Sequence, residues 1–265
     1  MAGKLMQAVW FEGFGGGAAA LKHVEVPIPS PKKNDVLLKL EATSINPVEK
    51  SWRLVPVSRS SKTGDKVVAF ITQASGGGFA EYAVASTNLT VLRPPEVSAA
   101  EGAGLPVAGL TAHQALTSSA GVKLDGSGPK KNILITAASG GVGHFAVQLA
   151  KLGNTHVTAT CGARNLELVK SLGADEVLDY KTPDGAALKS PSGKKYDAVV
   201  HCATGIPWST FEPNLSENGK VIDITPGASA LKTFVLKKIT FSKKQLVPLA
   251  VDPKERESED TGGPW

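Results

Sequence analysis

Up to about residue 98, apolar positions come in short runs: LMQAVWF, VLLKLEATSI, DKVVAFIT, AEYAVA and LTVLR. Clusters of Gly, Pro, Asn and Asp separate them. Runs of this length between turn residues predict strands, so residues 1–98 read as a β-dominated module. After Pro94-Pro95, the stretch AAEGAGLPVAGLTAHQAL has small and apolar residues at helical spacing. It predicts a helix interrupted at Pro106 that joins the front module to the rest.

From residue 132 the pattern alternates. Asn132 to Ala138 (NILITAA) is wholly apolar or small, as a parallel strand covered on both faces requires, and Gly143 to Leu152 has helical periodicity. Further strands are predicted at 156–160, 176–178, 197–201, 221–224 and 239–241, with helices at 166–172 and around 209–215. Six strands with crossovers suit a doubly wound α/β sheet. The domain reading is a front module at 1–98, a Rossmann-type domain at 99–248 and an acidic, disordered tail at 249–265.

Composition narrows the class. With 42% hydrophobic and 20% charged residues in a chain of 265, a sizeable core is expected and intrinsic disorder of the whole is excluded. Cys161 and Cys202 alone cannot make a disulfide framework or a four-cysteine zinc site. No apolar run reaches about eighteen residues, so no bilayer span is predicted. The first residues lack a charged stretch followed by an apolar one, so no cleavable leader is expected.

The net charge of +5 hides an asymmetry, because residues 252–265 carry five acids and two bases and the remainder carries +8. Bases gather at Lys50, Arg53, Arg59, Lys62 and Lys66, at Lys189, Lys194 and Lys195, and at Lys237, Lys238, Lys243 and Lys244. Such clusters suit a solvated face, a phosphate ligand or an anionic membrane surface. Nucleic acid is disfavoured, since no aromatic residues are interleaved with the bases.

The turn Ala138-Ser139-Gly140-Gly141-Val142-Gly143 lies between a predicted strand and a predicted helix. Backbone N–H groups there would face a pyrophosphate, and the strand–turn–helix setting gives this GxGxxG variant its weight. At the end of the next strand a carboxylate would bind ribose hydroxyls, but the residues are Thr160-Cys161-Gly162-Ala163-Arg164-Asn165. Arg164 either solvates the start of the next helix or meets a 2′-phosphate. An arginine is unfavourable at a helix N-terminus, which favours the phosphate and so NADPH over NADH. His113, His144, His156 and His201 read as packing or surface residues. Ser139 is no nucleophile elbow, and no residue stands out as catalytic.

Asn46-Pro47-Val48, Gly64-Asp65-Lys66-Val67, the stretch from Leu105 to Ala112, Ala137 to Gly143 and Leu172-Gly173-Ala174-Asp175 together resemble the zinc-free quinone oxidoreductases of the medium-chain dehydrogenase/reductase superfamily. The run 96–248 is similar to the plant chloroplast envelope members almost throughout. The resemblance implies a GroES-like catalytic module followed by a Rossmann domain, NADPH as hydride donor and no metal. It implies reduction of a small-molecule quinone or of the activated C=C of an enone, oxylipin-type ketones included. Asn46 and Thr111 would lie near the nicotinamide, with Thr225 and Pro226 flanking that half. Ser139, Gly140, Gly141 and Val142 would wrap the pyrophosphate, Gly162, Arg164 and Asn165 the adenosine phosphate, and Tyr180 the adenine side. A peripheral place at the inner chloroplast envelope is implied, against a cytoplasmic one otherwise, and a homo-oligomer is compatible with the family.

Two departures stand out. The segment between 49 and 63 is shorter than the family's, and after Leu249 the familiar continuation is replaced by AVDPKERESEDTGGPW. An incomplete GroES-like module is therefore expected. The alternative function is a catalytically impaired NADPH-binding or membrane-surface remnant.

Overall fold

The computed structural model describes residues 4–10, 17–46, 63–71 and 77–252. Pro47 and Val48, the short join at 49–62 with its four bases, and the acidic end from 253 lie outside the described residues. The chain divides between Val107 and Ala108 into two units, Asp252 counting with the first.

The first unit holds β1 (Leu5–Trp10), β2 (Lys22–Pro27), β3 (Asp35–Lys39), β4 (Val67–Ala69), β5 (Tyr82–Ser86), β6 (Thr90–Leu92) and α1 (Ala99–Gly104). The strands pair antiparallel as β1–β2, β3–β5 and β4–β6. An Ala8–Ala80 bridge adds a further link. Strand β2 is not among the predicted runs, although its valines alternate with polar residues in KHVEVP, the period of a half-buried strand. Ser98 and Glu101 form a capping box at α1. Glu41 pairs with Lys66 and, at 3.1 Å, with Arg93.

The second unit contains α2 (Leu110–Gln114), β7 (Asn132–Ile135), α3 (Gly141–Leu152), β8 (His156–Cys161), α4 (Leu166–Ser171), β9 (Glu176–Asp179), α5 (Pro183–Ala186), β10 (Tyr196–His201), α6 (Trp208–Phe211), β11 (Leu215–Asp223), α7 (Ala228–Ile239) and β12 (Gln245–Pro248). The strands form one six-stranded sheet in the order β12-β11-β10-β7-β8-β9, with every neighbouring pair parallel. This is the doubly wound order, and the reversal falls between β7 and β10. One face buries Ile133, Ile135, Val157, Ala159, Ala198, Val200 and Ile222 with residues of α3 and α4. The other buries Leu134, Val199 and Val221 with Leu188, Tyr196 and Phe211. Burial on both faces explains why these strands are continuously apolar.

Several expectations are corrected. The break expected at Pro106 is present but is not an end of the helical path: regular α-helix gives way at Leu105–Gly109 to a π-type turn between α1 and α2. Such a turn spaces the hydrogen bonds one residue wider, which accommodates a ring that has no N–H and would crowd the preceding carbonyl. Residues 239–241 form no strand. Ile239 ends α7, Lys237 and Lys238 sit in its last turn where cations suit the dipole, and Phe241 takes φ 49°. The sixth strand is β12. The predicted helix at 209–215 shrinks to α6 and a 3-10 turn at Glu212–Asn214, and Leu215 already opens β11. Leu249 is still tied to the sheet, its N–H donating to the Asp223 carbonyl at 2.8 Å.

Two local features hold the sheet. A Cβ on Gly143 would lie 2.4 Å from the Ala137 carbonyl oxygen and 2.7 Å from the Ala138 Cα, so only glycine lets α3 approach the end of β7 this closely. At the opposite end, Glu176 accepts from Thr158 Oγ1 at 2.8 Å, Ser190 Oγ at 2.7 Å and the Ser192 N–H at 3.0 Å. Burial alone would raise its pKa, but these donors outweigh burial and hold the carboxyl at about 2.

Gly143→Ala should cost about 1–3 kcal/mol of stability, read as a fall in urea midpoint; an unchanged midpoint contradicts the close approach. Glu176 should contribute stability that is complete above its unfolded-state pKa, near 4.5, and is lost as pH falls toward about 2. Glu176→Gln should flatten that acid limb and cost about 1.5–3 kcal/mol at neutral pH. Urea titrations at pH 7 and pH 3 check this, and parallel losses in the variant and the parent would contradict it.

Candidate functional site

The C-terminal ends of parallel strands, where the sheet order reverses, are where α/β folds place ligands. Here β7 passes into Thr136 and then Ala137, which takes φ 48°, an uncommon left-handed value for alanine. The chain turns there. Gly140 donates its N–H to the Ala137 carbonyl at 2.9 Å, and Ala138 donates to the Thr160 carbonyl at 2.8 Å. Gly140 then stands as N-cap of α3, and no side chain caps the helix. Gly140 and Gly141 are exposed, while Val142 sends its side chain into the core. The first amides of α3 therefore form an open anion cradle, reinforced by the helix dipole.

The neighbouring strand end completes one side. Gly162 leaves β8, and a 3-10 turn (Ala163–Asn165) carries Arg164, exposed, at the approach to α4. Asn165 Nδ2 donates to Ser139 Oγ at 3.0 Å, tying this turn to the cradle. A Cβ on Gly162 would lie 3.5 Å from Tyr180 Cε1, so the half-exposed Tyr180 ring borders that glycine. Asp179 points its Oδ1 to the Lys181 N–H at 3.0 Å, and Lys181 Nζ stands 5.9 Å from the Tyr180 ring centre. Ser139, Gly140, Gly141, Val142, Gly162, Arg164, Asn165 and Tyr180 are thus brought together at the ends of β7, β8 and β9.

Thr111 is buried in the first turn of α2. One turn earlier, Ala108 Cβ would be 3.9 Å from a Cβ on Gly141, which sets the start of that helix against the cradle. Thr225 and Pro226 follow β11, the Thr225 N–H donating to Asp223 Oδ1 at 2.9 Å and its hydroxyl to the Ala203 carbonyl at 3.2 Å. Asn46 belongs to the first unit, where its Nδ2 donates to Ser44 Oγ at 2.9 Å.

Sequence reasoning misses two groups. Lys181 puts a second cation near Arg164's strand end, and its signal is the base directly after Tyr180. Thr136, His201 and Asp223 form a buried polar row, signalled by an acid closing the apolar run VID and a histidine closing DAVVH. Thr136 Oγ1 and His201 Nδ1 lie 2.9 Å apart, and Thr136 Oγ1 accepts the Cys202 N–H at 2.9 Å. Burial lowers the His201 pKa against the pull of Asp223, which leaves the ring neutral at neutral pH. Burial, and secondly the Asp223 charge, push the Cys202 thiol up to about 12, so it is no nucleophile. Among the described residues no group of three or more His, Cys, Asp or Glu is arranged to hold a metal ion, and no helix is long and apolar enough to cross a membrane.

The zinc-binding dehydrogenase family model matches residues 141–255. The chloroplast envelope quinone oxidoreductase homolog of Arabidopsis thaliana is 64% identical over 98% of this chain and 87% of its own length. The NADPH-dependent alkenal/one oxidoreductase of the same plant is 30% identical over 95% of this chain and 73% of its own. Among solved structures, the quinone oxidoreductase from Coxiella burnetii superposes with a TM-score of 0.79 at 28% identity, over 96% of this chain and 85% of that one. The resemblance carried by the sequence motifs and these extended matches agree: the chain belongs to the quinone oxidoreductases of the medium-chain dehydrogenase/reductase superfamily, a family of oxidoreductase enzymes.

Proposed function

We propose that this chain reduces quinones or the activated C=C of α,β-unsaturated carbonyls with NADPH. The observation that carries the reading is the uncapped glycine cradle joined, through Asn165 and Ser139, to a strand end that offers Arg164 and no carboxylate. The residues present fit the cofactor: Gly143 lets the α3 amides reach the strand end, and Gly162 leaves the Tyr180 ring uncovered.

When bound, NADPH supplies a hydride that passes with its electron pair to the substrate, which then takes a proton from solvent, and the nicotinamide ring is left with one positive charge. The chain's part is to bind and orient. Amides at the start of α3 would hold the pyrophosphate, and Arg164 with Lys181 would meet the 2′-phosphate. Tyr180 would border the adenine side, while Thr111, Thr225 and Pro226 would line the nicotinamide half. Fixed dipoles of this kind favour charge that develops during transfer without reorganising water.

A second reading, a cofactor-binding chain without turnover, is favoured by one observation. Among the described residues the front unit shows three two-stranded ladders, two of them joined only by a bridge at Ala8–Ala80, with Leu5, Trp10 and Leu92 more than half exposed. The relative's name also supports a place at the chloroplast envelope. The lysines of the last cluster are largely engaged within the chain, however: Lys237 with Glu212, Lys243 with Glu217 and Lys244 with the Glu212 carbonyl.

Titration with NADPH, followed by its fluorescence, should show saturable binding, and a long-chain enone or a small quinone should then oxidise the bound cofactor. Binding without oxidation selects the second reading, and absence of binding rejects both. Arg164→Ala should reduce the preference for NADPH over NADH by roughly 10- to 100-fold, the scale of a charge-assisted hydrogen bond. An unchanged preference removes Arg164 from the phosphate site.

A further inference from the structure

The polar row under the loops after β10 and β11 has a feature that packing does not require. Alternation along the three strands puts Leu134, Val199 and Val221 on one face of the sheet, against Phe211. Two positions further on, Thr136, His201 and Asp223 share that face, and His201 and Asp223 are register partners. All three are buried, at 0%, 4% and 6% exposure. The His201 ring meets Phe211 edge-on, with centroids 4.9 Å apart.

Burial keeps His201 uncharged at neutral pH and Cys202 a thiol. Neither is therefore a cation beside Asp223. The Asp223 carboxylate accepts the Thr225 N–H through Oδ1 and faces its register partner His201, and among the described residues no ion pair involves it. A buried carboxylate with one amide donor and no cation beside it is expensive, and such a group is kept where something else benefits from it. The Thr225 turn needs only an acceptor, which an amide or a hydroxyl would supply at no electrostatic cost.

We propose that Asp223 is the counter-charge for the oxidised nicotinamide ring, biasing the site toward the cationic form of the cofactor and so toward hydride release. The proposal rests on the function proposed above, which places the nicotinamide half beside Thr225 and Pro226. The reduced ring is neutral and the oxidised ring carries one positive charge, so a fixed negative charge nearby distinguishes the two by electrostatics alone. Releasing the hydride with its electron pair creates that positive charge, and the carboxylate lowers the free energy of the state in which it exists. His201 and Thr136 act as neutral dipoles beside it and offer no competing cation.

The test measures dissociation constants of the full chain, without substrate, for NADPH by fluorescence and for NADP+ by calorimetry. Asp223→Asn keeps the Oδ1 acceptor for the Thr225 N–H while removing the charge. It should weaken NADP+ roughly tenfold, on the scale of one screened charge interaction, and leave NADPH within about twofold. Asp223→Ser, whose hydroxyl can accept the same N–H, should show the same bias and serves where the asparagine variant does not fold. Equal weakening of both cofactors would mean that the side chain only shapes the turn, and no change in either would mean that its charge is not felt; each overturns the proposal. Failure of the unaltered chain to bind either cofactor would instead reject the functional reading on which it stands.

Discussion

The closeness of α3 to the end of β7 governs the Rossmann unit. Gly143 has no room for a Cβ beside the Ala137 carbonyl. Because that space is empty, α3 begins directly beyond the strand rather than displaced from it, and its uncapped amides face the strand ends. The left-handed Ala137 and the hydrogen bond from Gly140 back to its carbonyl follow from the same geometry, since the chain must reverse within very few residues. Move the helix outward and the cradle opens, the Asn165–Ser139 link is lost and Thr111's helix loses its neighbour at Gly141. One missing side chain thus connects the packing of the sheet to the exposure of the α3 amides.

The sheet imposes a second constraint. Parallel strands bury both faces, so polar groups at their ends must find partners inside the protein. Thr136, His201 and Cys202 satisfy one another, and Asp223 takes the Thr225 amide. These bonds fix the loops after β10 and β11 from beneath. Packing and loop geometry are therefore coupled in this row.

Legibility from sequence followed the physics of each element. Strands β7, β8 and β10 were readable because double burial demands apolar runs, and the glycine turn because its residues are dictated by backbone geometry. β12 was not, since QLVP is too short to carry a period, whereas ITF, three residues of the right type, belongs to a helix end. The break at Pro106 was legible because proline cannot keep regular i→i−4 bonding, but the π-type turn it takes at 105–109 was not. Of the candidate site, Ser139 to Val142, Gly162, Arg164 and Asn165, which lie together at the strand ends, could be named from the chain. Lys181 and the Thr136–His201–Asp223 row could not, because each depends on which strands become neighbours in the sheet.

The Glu176 lock lies at the start of β9, and Tyr180 lies just past its other end, about 10–13 Å away at the usual strand rise. Residues so separated, with no shared partner, respond to change almost independently. The sheet consequently keeps the hydrogen-bonded Glu176 cluster and the glycine turn with its neighbouring strand ends at opposite poles. Selection, or an engineer, can harden one pole without retuning the other, which leaves the far ends of the strands free to diverge while the fold beneath them stays the same.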